Sequence, residues 1–87
     1  MTLQFPNPSR SFDEVRNAVR FIAHDGMSTV PFFVETAALA GPGKPQLSES
    51  DSLSVFDSSR SAIHDVARQA YSRGRRTSYT LTAADFR

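Results

Sequence analysis

The sequence predicts an α+β fold. Two layers are expected: a mostly antiparallel sheet of three to four strands, covered by one long C-terminal helix, in the order β-β-β-α(short)-α-β. Three observations predict it. Residues 19–24 and 29–34 read as strands on either side of Asp25-Gly26, a strong hairpin signal. Apolar residues then recur at helical spacing up to Arg73 and stop at Gly74. Alternation returns over Thr77–Thr82, so the helical stretch is bracketed by strands and must pack on the sheet they form.

Leu3–Phe5 is a short apolar run closed by Pro6-Asn7-Pro8, which reads as a brief first strand and a turn. Phe12, Val15 and Val19 recur at i, i+3 and i+7, the pattern of a helical turn, with an irregular connection as the alternative. Val19, Phe21 and Ala23 share one face of the next strand, while Arg20, Ile22 and His24 share the other. Thr29–Val34 answers it across the turn. Pro31 cannot donate to a ladder, so this strand is expected at a sheet edge or with its proline at a non-bonded site.

Thr36–Ala40 has the Ala-rich composition of a short helix, stopped by Gly41-Pro42-Gly43, and residues 41–50 read as a flexible loop. Ser48-x-x-Asp51 then opens the long helix with a capping pattern. Phe56, Ile63, Ala67 and Ala70 fall on one stripe, flanked by Leu53, Val66 and Tyr71, with Arg60 inside it. In the last strand Thr77, Tyr79 and Leu81 oppose Ser78, Thr80 and Thr82, and Phe86 can fold back over the core. If the strands before and after the long helix are parallel, the crossover should be right-handed.

At 87 residues the chain suits one domain, 1–87, that buries about two-thirds of its unfolded surface. The net charge of +1 argues neither for nucleic acid nor for a strongly acidic partner. Nine of the ten basic residues are arginine, a skew that codon usage explains as well as carboxylate or phosphate binding does. Without cysteine there are no disulfides, thiolate metal sites or cysteine nucleophiles. Met1–Pro8 has neither a basic n-region nor an apolar h-region, and no run nears the roughly 20 apolar residues of a membrane span. A cytoplasmic protein without membrane contact is expected.

Phe12-Asp13, Val19-x-Phe21, the Asp-Gly turn and above all Leu53-x-x-Phe56-x-x-x-Arg60-x-x-Ile63 resemble the small bacterial family called domain of unknown function 1488. The resemblance runs from Leu3 to Phe86. It implies a single α+β domain, with Asp13 matching the acid after the family's aromatic and Arg60 the basic residue inside its helix, and it implies no activity, substrate or cofactor. The Gly- and Pro-containing stretch at 41–45 departs from relatives that look more helical there.

Arg60 is the residue that most needs a reason. An unpartnered guanidinium on an apolar face costs several kcal/mol, which a bidentate carboxylate offsets. Asp13 is the expected partner, since Phe12 can anchor its segment to the core, giving a structural ion pair Asp13–Arg60. The alternatives are an arginine that snorkels over Tyr71 or Phe56, or one that faces a ligand.

Phe32 and Phe33 are adjacent, so in a strand they point to opposite faces, and a two-layer fold covers only one. The residue left over, with Ile22 or Val34, defines a candidate interaction surface of Ile22, Phe32, Phe33 and Val34, to be covered by a partner, by a second copy or by residues 36–43. Arg73, Arg75 and Arg76 form the only basic cluster. They meet the carbonyl end of the helix dipole, and the alternative is a nucleic-acid contact.

His24 and His64 are the only histidines and lie in different elements, so solvated or hydrogen-bonded side chains are expected rather than a zinc site. Gly41-Pro42-Gly43-Lys44-Pro45 is no phosphate loop, because Ala38 holds the first glycine position and Pro45 replaces the Ser or Thr that would bind magnesium. The serines from 48 to 61 provide caps and solvate the helix. No cofactor and no catalytic or metal-binding residue is expected. The reading is a non-catalytic interaction or accessory module working through a protein surface, with an unknown protein partner or self-association. The alternatives are a nucleic-acid-associated regulator using Arg73–Arg76, and a small enzyme with His24 or His64 beside Asp13 or Asp25 in a pocket.

Overall fold

A computed structural model describes residues 3–5, 10–40, 47–74 and 76–86. The elements in order are strands β1 (Arg10–Asp13), β2 (Ala18–Asp25) and β3 (Ser28–Glu35), helices α1 (Thr36–Ala40), α2 (Glu49–Ser58) and α3 (Arg60–Arg73), strand β4 (Tyr79–Leu81), and a closing 3-10 turn at Ala83–Phe86. The four strands form one sheet in the order β1-β2-β3-β4. Neighbours are antiparallel except β3 and β4, which are parallel, so the three helices form the crossover that this pairing requires.

The β2–β3 hairpin is the one the sequence predicts. Asp25 faces Ser28 across a two-residue loop in which Gly26 takes φ +61°, a conformation that glycine reaches without steric cost. β3 is an interior strand, however, so its expected edge position does not hold. A two-residue loop closes on a hydrogen-bonded pair, and the alternation makes Ile22–Pro31 a non-bonded pair. Pro31 thus turns its nitrogen away from β2, and β4 pairs only with Phe32–Val34.

The first strand lies elsewhere than expected. Of Leu3–Phe5, only Gln4 pairs, exchanging two 2.8 Å backbone hydrogen bonds with His24. The strand proper is β1, where a helical turn or irregular connection was expected. Phe12 sits opposite Val19 on the core face, and Glu14–Asn17 is a hairpin turn that Asn17 closes with φ +54°. Val15, which completed the apparent helical spacing, is 97% exposed at this turn.

The expected single long helix is two helices. Ser48 caps α2 by accepting the Asp51 N–H on its hydroxyl, and α2 runs only to Ser58. Ser59 leaves helical geometry, with φ −110° and ψ 13°, and its N–H is shared between the carbonyls of Val55 and Phe56. The Ser58 hydroxyl donates to the Val55 carbonyl, a competing bond that suits a break at a serine pair. The apolar stripe survives, with Phe56 on α2 and Ile63 and Ala67 on α3 buried.

The core lies between these helices and one face of the sheet. It contains Val19, Phe21 and Ala23 of β2, Val30, Phe32 and Val34 of β3, and Tyr79 and Leu81 of β4. The register places Phe21, Phe32 and Tyr79 in one row across three strands, with ring centroids 5.3 and 4.9 Å apart. Such aromatic pairs are worth about 0.5–1.5 kcal/mol beyond their burial. Phe86 packs against the same core, as expected. No described helix is long and apolar enough to cross a membrane.

Candidate functional site

The expected Asp13–Arg60 ion pair is replaced by two local ones. Arg60 donates to Asp57 at 2.7 Å, and its guanidinium lies 4.9 Å from the Phe56 ring centroid with the side chain 26% exposed. Asp57 is one helical turn away, so reaching it needs no distant segment to be ordered. Asp13 instead serves its own turn, accepting the Arg16 N–H at 3.0 Å. The snorkelling alternative over Phe56 therefore describes Arg60 better than a buried pair does.

The candidate surface of Ile22, Phe32, Phe33 and Val34 is split by the sheet. Phe32 and Val34 are fully buried in the core, because they lie on the helix-covered face. Phe33 and Ile22 lie on the opposite face. Phe33 is nonetheless only 6% exposed, with the Arg16 guanidinium 4.3 Å from its ring centroid, and Ile22 is half-buried. The Arg16 side chain thus lies over a ring on the face opposite the main core.

The histidines do not meet in one site. His64 stacks on Phe5 with centroids 3.8 Å apart, and burial there, followed by the cations Arg60 and Arg68, holds its pKa below the usual imidazole value. His24 is tied to Gln4 on the other edge of its strand. Among the described residues no three His, Cys, Asp or Glu side chains come together as a metal site.

The arginine cluster fares differently. Arg75 and positions 41–46 of the expected loop lie outside the described residues, while positions 49 and 50 open α2. Arg73 and Arg76 flank a cleft of about 170 Å³ lined also by Ala70, Gly74, Tyr79, Thr80, Leu81 and Asp85. Three residues of one strand contribute to this wall. Alternate side chains of a strand point to opposite faces, so three consecutive residues line one cleft through their shared backbone edge. That edge is the outer one of β4, the end strand of the sheet.

Two devices hold the cleft in shape. The Tyr79 hydroxyl donates to the Gly74 carbonyl at 2.6 Å and accepts the Arg76 N–H at 2.9 Å, which fixes the turn between α3 and β4. At the other end Asp85 Oδ2 accepts both the backbone N–H and the hydroxyl of Thr82, at 2.8 and 3.2 Å. This is the returning half of a capping box for the closing 3-10 turn, the acid reaching back to the N-cap N–H, and Thr82-x-x-Asp85 was its readable signature. The role of Tyr79 had no comparable signal, since the strand pattern accounts for the ring alone.

The described arginines divide by whether they hold a carboxylate. Arg10, Arg16, Arg60 and Arg68 each hold a carboxylate, respectively Asp57, Asp13, Asp57 and Asp65. Arg73, Arg76 and Arg20 have no carboxylate partner among the described residues and are exposed, and of these only Arg73 and Arg76 flank the cleft. Arg73 also lies in the last turn of α3, where the dipole favours a cation.

The fold is thus a small α+β domain in which the outer edge of β4 forms a cleft flanked by two arginines. The chain belongs to the DUF1488 family of proteins of unknown function, whose model matches residues 3–82. No curated protein and no solved structure matches it.

Proposed function

We propose that this chain is a non-catalytic binding module that docks a partner at the outer edge of β4, with Arg73 and Arg76 as its charged anchors. The observation that carries the reading is a strand edge left unpaired among the described residues, flanked by two exposed arginines that hold no carboxylate there, whereas Arg10, Arg16, Arg60 and Arg68 do and Arg20 lies away from the cleft. Arginine suits this work because its planar fork can take both oxygens of a carboxylate or phosphate. The burial of Phe32 and Val34 moves the interaction reading away from the sheet face and onto this edge.

A nucleic-acid contact is the second reading, because exposed arginines accept phosphate as readily. A photo-crosslinking residue at Thr80, compared with one at Ile22 on the sheet's outer face, tests both in cells producing the protein. The expected result is a nuclease-resistant adduct from Thr80. Nuclease-sensitive adducts would favour nucleic acid, adducts of two copies of the chain would favour self-association, and adducts from Ile22 alone would reject the cleft.

A further inference from the structure

We infer that the partner at the cleft is an extended acidic peptide segment, laid along the outer edge of β4 as an added strand with a carboxylate seated on Arg73 and Arg76. The inference rests on the docking reading above and names the chemistry of what docks.

The geometry of the wall argues for a peptide. A strand edge presents N–H and C=O groups in a repeat that another extended backbone matches, and β4 offers three residues, or about 10 Å of such an edge. Neither face of β4 supplies an apolar groove by itself. Tyr79 and Leu81 point into the core, and Thr80 points to the opposite face. Main-chain pairing is therefore the contact the cleft is shaped to give.

Charge selects which peptide. Cations beside an open edge discourage pairing with ordinary or basic strands, which is one way in which proteins protect such edges. The same cations admit a strand that carries acid. Tyr79 reduces the ordering needed on binding, because its hydroxyl already ties Gly74 to Arg76. Asp85 stands at the other end of the lining, so a ligand with anionic charge along its whole length meets repulsion there. A carboxylate at one end only, with a neutral or basic residue toward Asp85, fits both ends.

The same features disfavour single-stranded nucleic acid. Such strands are held by a basic groove together with stacking on aromatic side chains, and the second part is missing among the described residues of the cleft. The one aromatic ring in the lining, Tyr79, is 6% exposed and already stacked on Phe32. A phosphate backbone would also run past Asp85.

The probe is a short synthetic peptide of alternating valine and threonine, with glutamates at one end and a lysine at the other, titrated into the isotope-labelled full chain and followed by amide NMR shifts. Shifts are expected at Arg76, at Tyr79–Leu81 and at Asp85. Replacing the glutamates by glutamine, or making Arg73→Gln with Arg76→Gln, should weaken binding about tenfold or more, the loss of one or two charged hydrogen bonds. N-methylation of alternate peptide amides, in one of the two frames, should abolish it, since that frame carries the donors facing β4.

Four results would overturn the inference: no shifts at Tyr79–Leu81 at millimolar peptide, indifference to N-methylation in both frames, tighter binding of a thymidine oligonucleotide than of the peptide, or shifts centred on Ile22 and Phe33. Unchanged peak dispersion in the glutamine variants shows that a loss of binding is not a loss of fold. If the Thr80 crosslinker captures a protein while the peptide fails these tests, the docking reading stands and the peptide inference falls. If Thr80 captures nothing, the docking reading itself fails.

Discussion

Asp57 on α2 receives a two-pronged contact from Arg10 on β1, with Nε 3.0 Å from Oδ1 and Nη2 2.8 Å from Oδ2. Arg60 at the start of α3 shares the same carboxylate. One side chain therefore joins the edge strand to both sides of the helix break at Ser59. The tie between the helices and the segment before the hairpin exists, but it runs through Arg10 and Asp57 instead of Asp13.

This arrangement sets an acid dependence. The hydrogen bonds from Arg10, more than those from Arg60, hold the Asp57 carboxyl below its usual pKa. A depressed carboxylate contributes stability that is complete above the unfolded value of about 3.9 and is lost as the pH falls through the folded one. Asp57→Asn should melt lower than the parent at neutral pH, and the gap should narrow as the pH falls below that range. Parallel melts at neutral and acid pH would show it, and a constant gap would count against the tie.

His64 gives a second dependence with its own window. Its folded pKa lies below the ordinary imidazole value, chiefly through burial against Phe5 and secondarily through Arg60 and Arg68, with Asp65 acting in the opposite sense. The unfolded chain therefore takes the proton first, and stability should fall as the pH drops below about 6.5, levelling once the folded protein is protonated too. His64→Leu should flatten that slope and leave the lower, Asp57-linked loss in place. Denaturant titrations from neutral pH down through both windows measure the two losses separately.

The two adjacent phenylalanines should behave unequally. Phe32 is fully buried in the aromatic row, so Phe32→Ala should cost about 3–5 kcal/mol. Phe33→Ala removes a ring that is also buried but lies outside the main core cluster, on the sheet's other face beneath Arg16, and should cost less. Chemical denaturation of both variants would decide it, and equal losses would show that the second face is packed as closely as the first.

Ser52 offers a gain. Its hydroxyl is buried on α2 without a hydrogen-bond partner among the described residues. An unsatisfied buried polar group costs about 1–3 kcal/mol, and alanine is also the better helix former. Ser52→Ala should therefore raise stability by about 1 kcal/mol in a denaturant titration, and a loss would show that the hydroxyl is held after all.

Much of this fold was legible because burial on one face writes itself into alternate residues. Val19, Phe21 and Ala23 face Val30, Phe32 and Val34 across the turn that Asp25-Gly26 announced, and the stripe through Phe56, Ile63 and Ala67 marked the helical layer. The break at Ser59 was not legible, because a helix that bends on a serine pair keeps its apolar period on both sides. β1 was hidden by Val15, whose spacing mimicked a helix while its side chain points into solvent. Arg60 stood out by its place in the apolar stripe, yet spacing alone could not choose between a distant Asp13 and an Asp57 one turn away. At the cleft, Arg73 and Arg76 could be read from their clustering. Tyr79 and Asp85 could not be joined to them, since only the crossover from α3 to β4 brings those residues to one edge.

The cleft's order rests on the Tyr79 hydroxyl. Tyr79→Phe keeps the stacked ring and leaves the Gly74 carbonyl and the Arg76 N–H without that partner, so it should cost about 1–2 kcal/mol and speed hydrogen exchange at the Arg76 amide. Normal exchange there would show that the turn is held by other contacts.

The most direct measurement of the central claim is the yield of the Thr80 photo-adduct in two charge-reversed backgrounds. Arg20 is exposed on the outer face of the sheet and, like the cleft arginines, has no carboxylate partner among the described residues, so Arg20→Glu controls for net charge. Docking at the β4 edge requires the adduct to persist in Arg20→Glu and to disappear in Arg73→Glu with Arg76→Glu. Equal loss in both backgrounds, or persistence in the cleft variant, would contradict it.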